Sequence, residues 1–162
     1  MSDATPLPAA MEVREHWEGL VGRDITVTTG GPMVDPVLNG GALVGVYVDK
    51  LMKLSALVLF DLPLAAHLGA SIALVPARTA QTAVEEEQLP SALAENAGEI
   101  LNVTAALFNV GDAPHLKLDR WYAPREPLPA DVAQWVLAYV RRLDLEVEVS
   151  GYGSGTASVL VI

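Results

Sequence analysis

Between Ser91 and Phe108 the side chains able to do chemistry fall on one side of a helical pattern. At roughly 100° per residue, Leu93, Ala97, Ile100, Thr104, Leu107 and Phe108 gather on one side. Ser91, Glu95, Glu99, Asn102 and Ala106 form the opposite stripe. Residues three and four apart are neighbours on a helix surface. Glu95, Glu99 and Asn102 therefore present two carboxylates and an amide in one row, and the small residues around them let a flat partner come close. Such a row suits binding to another protein, or action on one. Glu-x-x-Asn is a short pattern, and exposed Glu and Asn commonly do no more than keep a helix soluble. Its weight depends on the elements that carry it.

Those elements read as follows. Residues 1–8 form a loose tail and 9–162 a single domain. Ala10, Val13, Trp17, Leu20 and Val21 recur at helical spacing, and Gly22 stops that helix. Residues 24–29 alternate as a half-buried strand does. Two apolar runs, Ala42 to Val48 and Leu54 to Phe60, flank a short polar break and suit an antiparallel hairpin. Asp61 can cap a following helix with Pro63 in its first turn, and 77–87 suits another short helix. Pro90 opens the long helix, running to about Asn109. His115 to Tyr122 is expected as a strand and Asp131 to Arg142 as an amphipathic helix with Val132, Trp135, Val136 and Tyr139 inward. Leu143 to Val149 and Ala157 to Ile162 close the chain as a second hairpin around Gly151, Gly153 and Gly155. Helix, strand and hairpin thus occur twice, a hint of internal duplication. The class expected is α/β of the α+β type: a mostly antiparallel sheet with long amphipathic helices on one face.

Composition removes several competing functions. The formal charge of −10 would repel nucleic acid and anionic bilayers, so neither is expected as a partner. Cysteine is absent, which excludes disulfides, thiolate nucleophiles and Cys-based metal sites. His16, His67 and His115 are scattered without ligand spacing, so no metal or cofactor is expected in this chain. Ser55, Ser71 and Ser154 lack the Gly-x-Ser-x-Gly elbow of hydrolases. The glycine-rich run 151–155 is followed by strand residues, which makes it a hairpin turn and not a phosphate loop. Trp17, Trp121 and Trp135 read as core or dimer contacts, and Arg141 and Arg142 as favourable charges at a helix end. An apolar fraction of 51% beside 19% charged residues leaves apolar surface for an interface, and a homodimer is one use of it. The N-terminal residues lack the basic and apolar regions of a secretion signal, so the cytoplasm is the expected location.

The segment Glu95-Asn-Ala-Gly-Glu-Ile-Leu-Asn102, on a long helix preceded by a hairpin and a shorter helix, resembles the CheC/CheX/FliY family of chemotaxis phosphatases. The likeness extends to Val46 through Leu68, which looks like the strand and helix before the motif in CheX, and to the final hairpin. The resemblance implies hydrolysis of the aspartyl phosphate of a CheY-type response regulator. Glu99 would pair with the receiver's lysine and orient the two proteins. Asn102 would place its amide beside the acyl phosphate and hold the attacking water in line. Ser91, Glu95 and Ala106 would flank them as partner contacts, and Mg2+ would sit in the receiver. Phosphoryl transfer through a loose transition state needs positioning and charge stabilisation more than covalent help. Where the family carries Asp or Ser four residues before the motif Glu, this chain has Glu95. Its first helix holds Glu12, Glu15 and Glu18 but no Asn, so the second site of CheC-like members is missing and the pattern is nearer to CheX. Two other functions suit the same residues: an adaptor that docks on a response regulator or another signalling protein without turnover, and a structural dimerisation domain with the Glu99 face buried against a second subunit.

Overall fold

A computed structural model describes residues 4–162. The chain runs α1 (Ala10–Val21), β1 (Ile25–Thr29), β2 (Ala42–Val48), β3 (Leu54–Asp61), α2 (Leu62–Ile72), α3 (Ala77–Glu86), α4 (Ser91–Thr104), a 3-10 turn at Ala105–Leu107, β4 (Lys117–Tyr122), α5 (Ala130–Ala133), β5 (Arg141–Val149) and β6 (Gly153–Val161). Local chemistry explains several of these boundaries. Glu12 accepts the orphan N–H of Ala9 at 2.9 Å where α1 starts. Gly22, at φ 69°, ends α1 with its N–H on the Glu18 carbonyl. Asp61 caps α2 by accepting from Leu64 N at 2.9 Å, with Pro63 in the first turn as expected.

Six strands form one sheet in the order β1-β5-β6-β3-β2-β4, antiparallel throughout. The duplication hinted at by the sequence is visible in this order. The hairpins β2–β3 and β5–β6 meet in the middle through β3 and β6, with Val58 opposite Val159. Each half then lends its first strand to the other: β1 pairs with β5, and β4 pairs with β2.

The main core lies between one sheet face and the helices α1, α2 and α4, with Trp17, Tyr47, Phe60, Leu68, Ile100 and Phe108 among its buried residues. Trp17 meets Phe60 edge-on at 5.3 Å, and Tyr47 meets Phe108 at 5.2 Å. The helix α3 packs on α2 through Ala80 and Ala83. On the other sheet face a smaller core gathers Val44, Val46, Leu57, Leu59 and Leu160 under Val34, Val132 and Val136. Because β2 feeds both cores, its whole run is buried. Of the residues expected as a tail, Thr5 and Pro8 are buried and Thr5 O accepts from Arg141 Nη2.

The helix expected over Asp131 to Arg142 is corrected by the structure. Only Ala130–Ala133 are α-helical, and Arg141 and Arg142 open β5 opposite Val161 and Leu160. Val132 and Val136 are buried as expected, and Trp135 is partly so, but Tyr139 is 94% exposed. The physical reason lies in two sets of hydrogen bonds. Strand pairing satisfies the backbone of 141–149, while the Arg142 guanidinium donates to the carbonyls of Val136 and Ala138 and to Asp144. Asp144 in turn accepts from Ser158 Oγ, which accepts from Val34 N. The arginine thus ties the 130–140 segment to the sheet, a role different from that of a charge at a helix end. The last strand also starts earlier than expected, since Gly153 and Gly155 lie within it. A Cβ at Gly155 would stand 2.5 Å from Leu64 N, so the missing side chain lets α2 lie on the strand.

Candidate functional site

The helix α4 is held from several directions by polar contacts. Trp17 Nε1 donates to Thr104 Oγ1 at 3.1 Å, and that hydroxyl donates to Ile100 O at 2.6 Å. The buried Tyr47 hydroxyl donates to Leu101 O at 2.6 Å, and burial pushes its pKa well above the usual 10. Asn96 donates to Gly69 O at 3.0 Å, tying α4 to α2. A polar residue on the apolar side, Thr104, is therefore fully satisfied. Phe108 buries itself after the 3-10 turn, and Asn109 closes the following loop through both polar groups of Leu116.

With one face anchored, the other is committed to solvent. Ser91, Glu95, Glu99, Asn102 and Ala106 are all exposed, while Leu93, Ala97, Ile100, Thr104 and Phe108 are buried and Leu107 is partly so. Among the described residues, neither Glu99 nor Asn102 makes a side-chain hydrogen bond or ion pair within the chain, and Glu95 makes none either. Their spacing, one turn apart on a rigid helix, puts them on a common groove of about 540 Å³. Gly98, Glu99 and Asn102 form one wall, and residues 118–121 of β4 form the other.

The second wall is not evident from the sequence pattern. The β2–β4 register slips between Val46 and Tyr47: Arg120 faces Val46 and Leu118 faces Tyr47, leaving Asp119 as an extra residue. Such a bulge re-aims the side chains beyond it. It allows Leu118 and Trp121, three apart, to pack on the same α4-side core, while Tyr122 belongs to the opposite one. Arg120 is restrained by Glu126 at 2.6 Å and by the Tyr122 ring at 3.9 Å. Its charge is thereby balanced locally, and Glu95, Glu99 and Asp119 remain as carboxylates without such a partner. The groove is acidic and suits a cationic group on whatever binds.

The indole of Trp121 reaches across to Gly98, where even a methyl group would overlap Nε1. Trp121 packs half-buried against the main core, in keeping with a core contact, and it also lines the groove. Two signals in the sequence could have found this wall: a glycine in mid-helix, which costs about 0.5–1 kcal/mol relative to alanine, and Leu118-x-x-Trp121, which breaks strand alternation. Trp17 is wholly buried and Trp135 partly so.

A second cavity, about 480 Å³, lies beside Asp61, Glu146, Glu148 and Thr156. Asp61 there is the α2 cap; burial raises its pKa from 3.8, and hydrogen bonds from Thr156 and Leu64 oppose the shift. His67 is 3% exposed and its pKa is lowered by burial. No cluster of His, Asp and Glu among the described residues could hold a metal ion, and no helix is long and apolar enough to cross a membrane.

Comparison with solved structures places this architecture. FliY from Thermotoga maritima matches with a TM-score of 0.56 at 14% identity, over 91% of this chain and 81% of that one. A chain of the FliM–SpeE complex from H. pylori matches with a TM-score of 0.57 at 10% identity, over 94% of this chain and 80% of that one. The chain shares its fold with FliY and with a chain of the FliM–SpeE complex, in keeping with its resemblance to the CheC/CheX/FliY family. At these identities the likeness is one of fold. No protein-family model matches the sequence, and no curated protein does either.

Proposed function

We propose that this protein is a CheX-like phosphatase that hydrolyses the aspartyl phosphate of a CheY-type response regulator, in chemotaxis or related two-component signalling. The observation that carries the reading is the pair Glu99 and Asn102: one turn apart, exposed, and free of partners among the described residues. The fold it shares with FliY supports the same reading. In this scheme Glu99 pairs with a lysine of the receiver and sets the relative orientation of the two proteins, and Ser91, Glu95 and Ala106 border the contact. The Asn102 amide enters beside the acyl phosphate and positions water in line with the scissile bond. The water oxygen bonds to phosphorus as the bond to the aspartyl oxygen breaks, releasing a free carboxylate and inorganic phosphate. Mg2+ bound in the receiver would supply charge neutralisation at the phosphoryl oxygens. Fixing the water on a rigid helix converts a bimolecular encounter into an oriented one, which is the main way a protein can accelerate such a reaction.

The test is loss of phosphate from a phosphorylated CheY-type receiver of the same cell. Wild-type protein should accelerate it and Asn102→Ala should abolish the gain; identical behaviour of the two would remove the catalytic reading. A second reading, that of an adaptor, is favoured by Glu95 standing where the family carries Asp or Ser. The match to a chain from a FliM–SpeE complex adds that this fold occurs in protein assemblies. An adaptor would bind the receiver while phosphate loss stayed at its intrinsic rate.

A further inference from the structure

The wall of the groove opposite Glu99 and Asn102 is better built than a passive surface requires. The bulge at Asp119 turns Trp121 toward α4, and the indole lies against Gly98, the residue before Glu99. Any side chain at 98 would displace it, so a glycine is kept in mid-helix despite its helix-breaking tendency. The ring is only half-buried. Its N–H has no acceptor among the described residues and lies on the side of the ring nearest Gly98, without being wholly buried. By contrast, the buried Trp17 gives its N–H to Thr104. A large, half-buried ring on the wall of a concave polar surface has the makings of a binding hot spot.

We propose that Trp121, seated on Gly98, is the docking platform for the phosphorylated receiver: a positioning residue whose ring is covered on binding. This rests on the function proposed above and divides that site in two. Asn102 serves the chemical step, and Trp121 sets how tightly and in what orientation the receiver is held. The carboxylates of Glu99 and Asp119 on either side supply the attraction for a cationic rim.

The experiment measures phosphate loss from an acetyl-phosphate-phosphorylated, tryptophan-free CheY-type receiver as its concentration is varied, with wild type, Trp121→Phe, Trp121→Ala, Gly98→Ala and Asn102→Ala. Trp121→Ala should raise KM about tenfold or more, the range of a hot-spot truncation, with kcat nearly unchanged. Trp121→Phe keeps the ring and should show a smaller rise, and Gly98→Ala should raise KM by moving the indole. Asn102→Ala should lower kcat and leave KM alone. In parallel, tryptophan emission is followed while beryllofluoride-activated receiver is added. Wild type and Asn102→Ala should shift toward the blue, and Trp121→Phe should not. A normal KM in both Trp121→Phe and Trp121→Ala would overturn the inference while leaving the phosphatase reading intact if Asn102→Ala is inactive. If no variant, wild type included, accelerates phosphate loss, catalysis is refuted and the emission titration decides the platform: a shift lost in Trp121→Phe supports it, and no shift overturns it.

Discussion

The helices α1 and α4 occupy equivalent places in the two halves of the molecule and have been put to opposite uses. Each precedes the strand that its half lends to the other hairpin, and each packs on the same sheet face. Two of the carboxylates of α1 serve the chain: Glu12 holds the Ala9 N–H, and Glu18 accepts from Ile25 N at 2.9 Å while lying 4.0 Å from Arg14. On α4 the polar work of folding is done by Asn96 and Thr104, which leaves Glu95, Glu99 and Asn102 without partners among the described residues. Neighbouring strands differ too. The β1–β5 register is regular, whereas β4 carries the bulge that brings Trp121 up to α4. A duplicated frame can be stable with one helix used structurally and the other left open to a partner, because the same backbone positions need not carry the same side-chain duties.

This contrast can be broken most directly at Asn102. Asn102→Ala should reduce the acceleration of receiver dephosphorylation by about 10²-fold, the loss seen when one oriented polar group is removed from a reaction centre. Its urea unfolding curve should move by less than about 0.5 kcal/mol, as for other exposed sites without partners. Glu99→Ala should behave alike in stability, losing activity chiefly through weaker docking. The opposite pairing is expected on α1. Glu18→Ala removes the acceptor for Ile25 N and should cost about 1 kcal/mol in the same unfolding assay, with phosphatase rates unchanged.

A sharper version places an amide three residues after Glu15 by Glu18→Asn. If Glu-x-x-Asn were sufficient by itself, this variant in an Asn102→Ala background would recover phosphatase activity. No recovery is expected, because the α1 side has no bulged strand and no indole to form the opposite wall. Recovered turnover would show that the groove around α4 is dispensable.

The smallest effect is expected from pH, at a site remote from both faces. Burial lowers the pKa of His67 below its ordinary 6.5, so as pH falls through 6.5 the unfolded chain takes up this proton before the folded one. Stability is then full above that pH and declines as pH drops from 6.5 toward the lowered folded value. His67→Leu should flatten that part of an unfolding-free-energy profile and leave phosphatase activity at neutral pH unaltered. Asp61, whose pKa is raised, acts with the opposite sign at lower pH, favouring the folded state as pH falls toward 3.8.

Periodicity and capping residues were enough to read most of the elements. The α4 stripe is exposed residue for residue, and Gly22, Asp61 and Pro63 stand at the helix boundaries where their chemistry suggests. The two hairpins and their repetition were legible because apolar runs bounded by turn residues are a local property. Over 131–142 the helical spacing of Val132, Trp135 and Val136 is met by one short helix and the turns after it, while Arg141 and Arg142 belong to β5. Pairing with β6 and the hydrogen bond from Ser158 to Asp144 settled the choice of strand, and both join segments that are not neighbours along the chain.

The sequence by itself therefore determined which helix faces are apolar, where most helices begin, and that Glu99 and Asn102 share one exposed row. Helix period and side-chain polarity are set along the chain. Only the tertiary structure decided what stands across from that row. The exchange of β1 and β4 between halves, the extra residue at Asp119 and the fit of Trp121 against Gly98 depend on pairing between segments distant in sequence. A groove has two walls, and here the sequence of one helix could specify only the first.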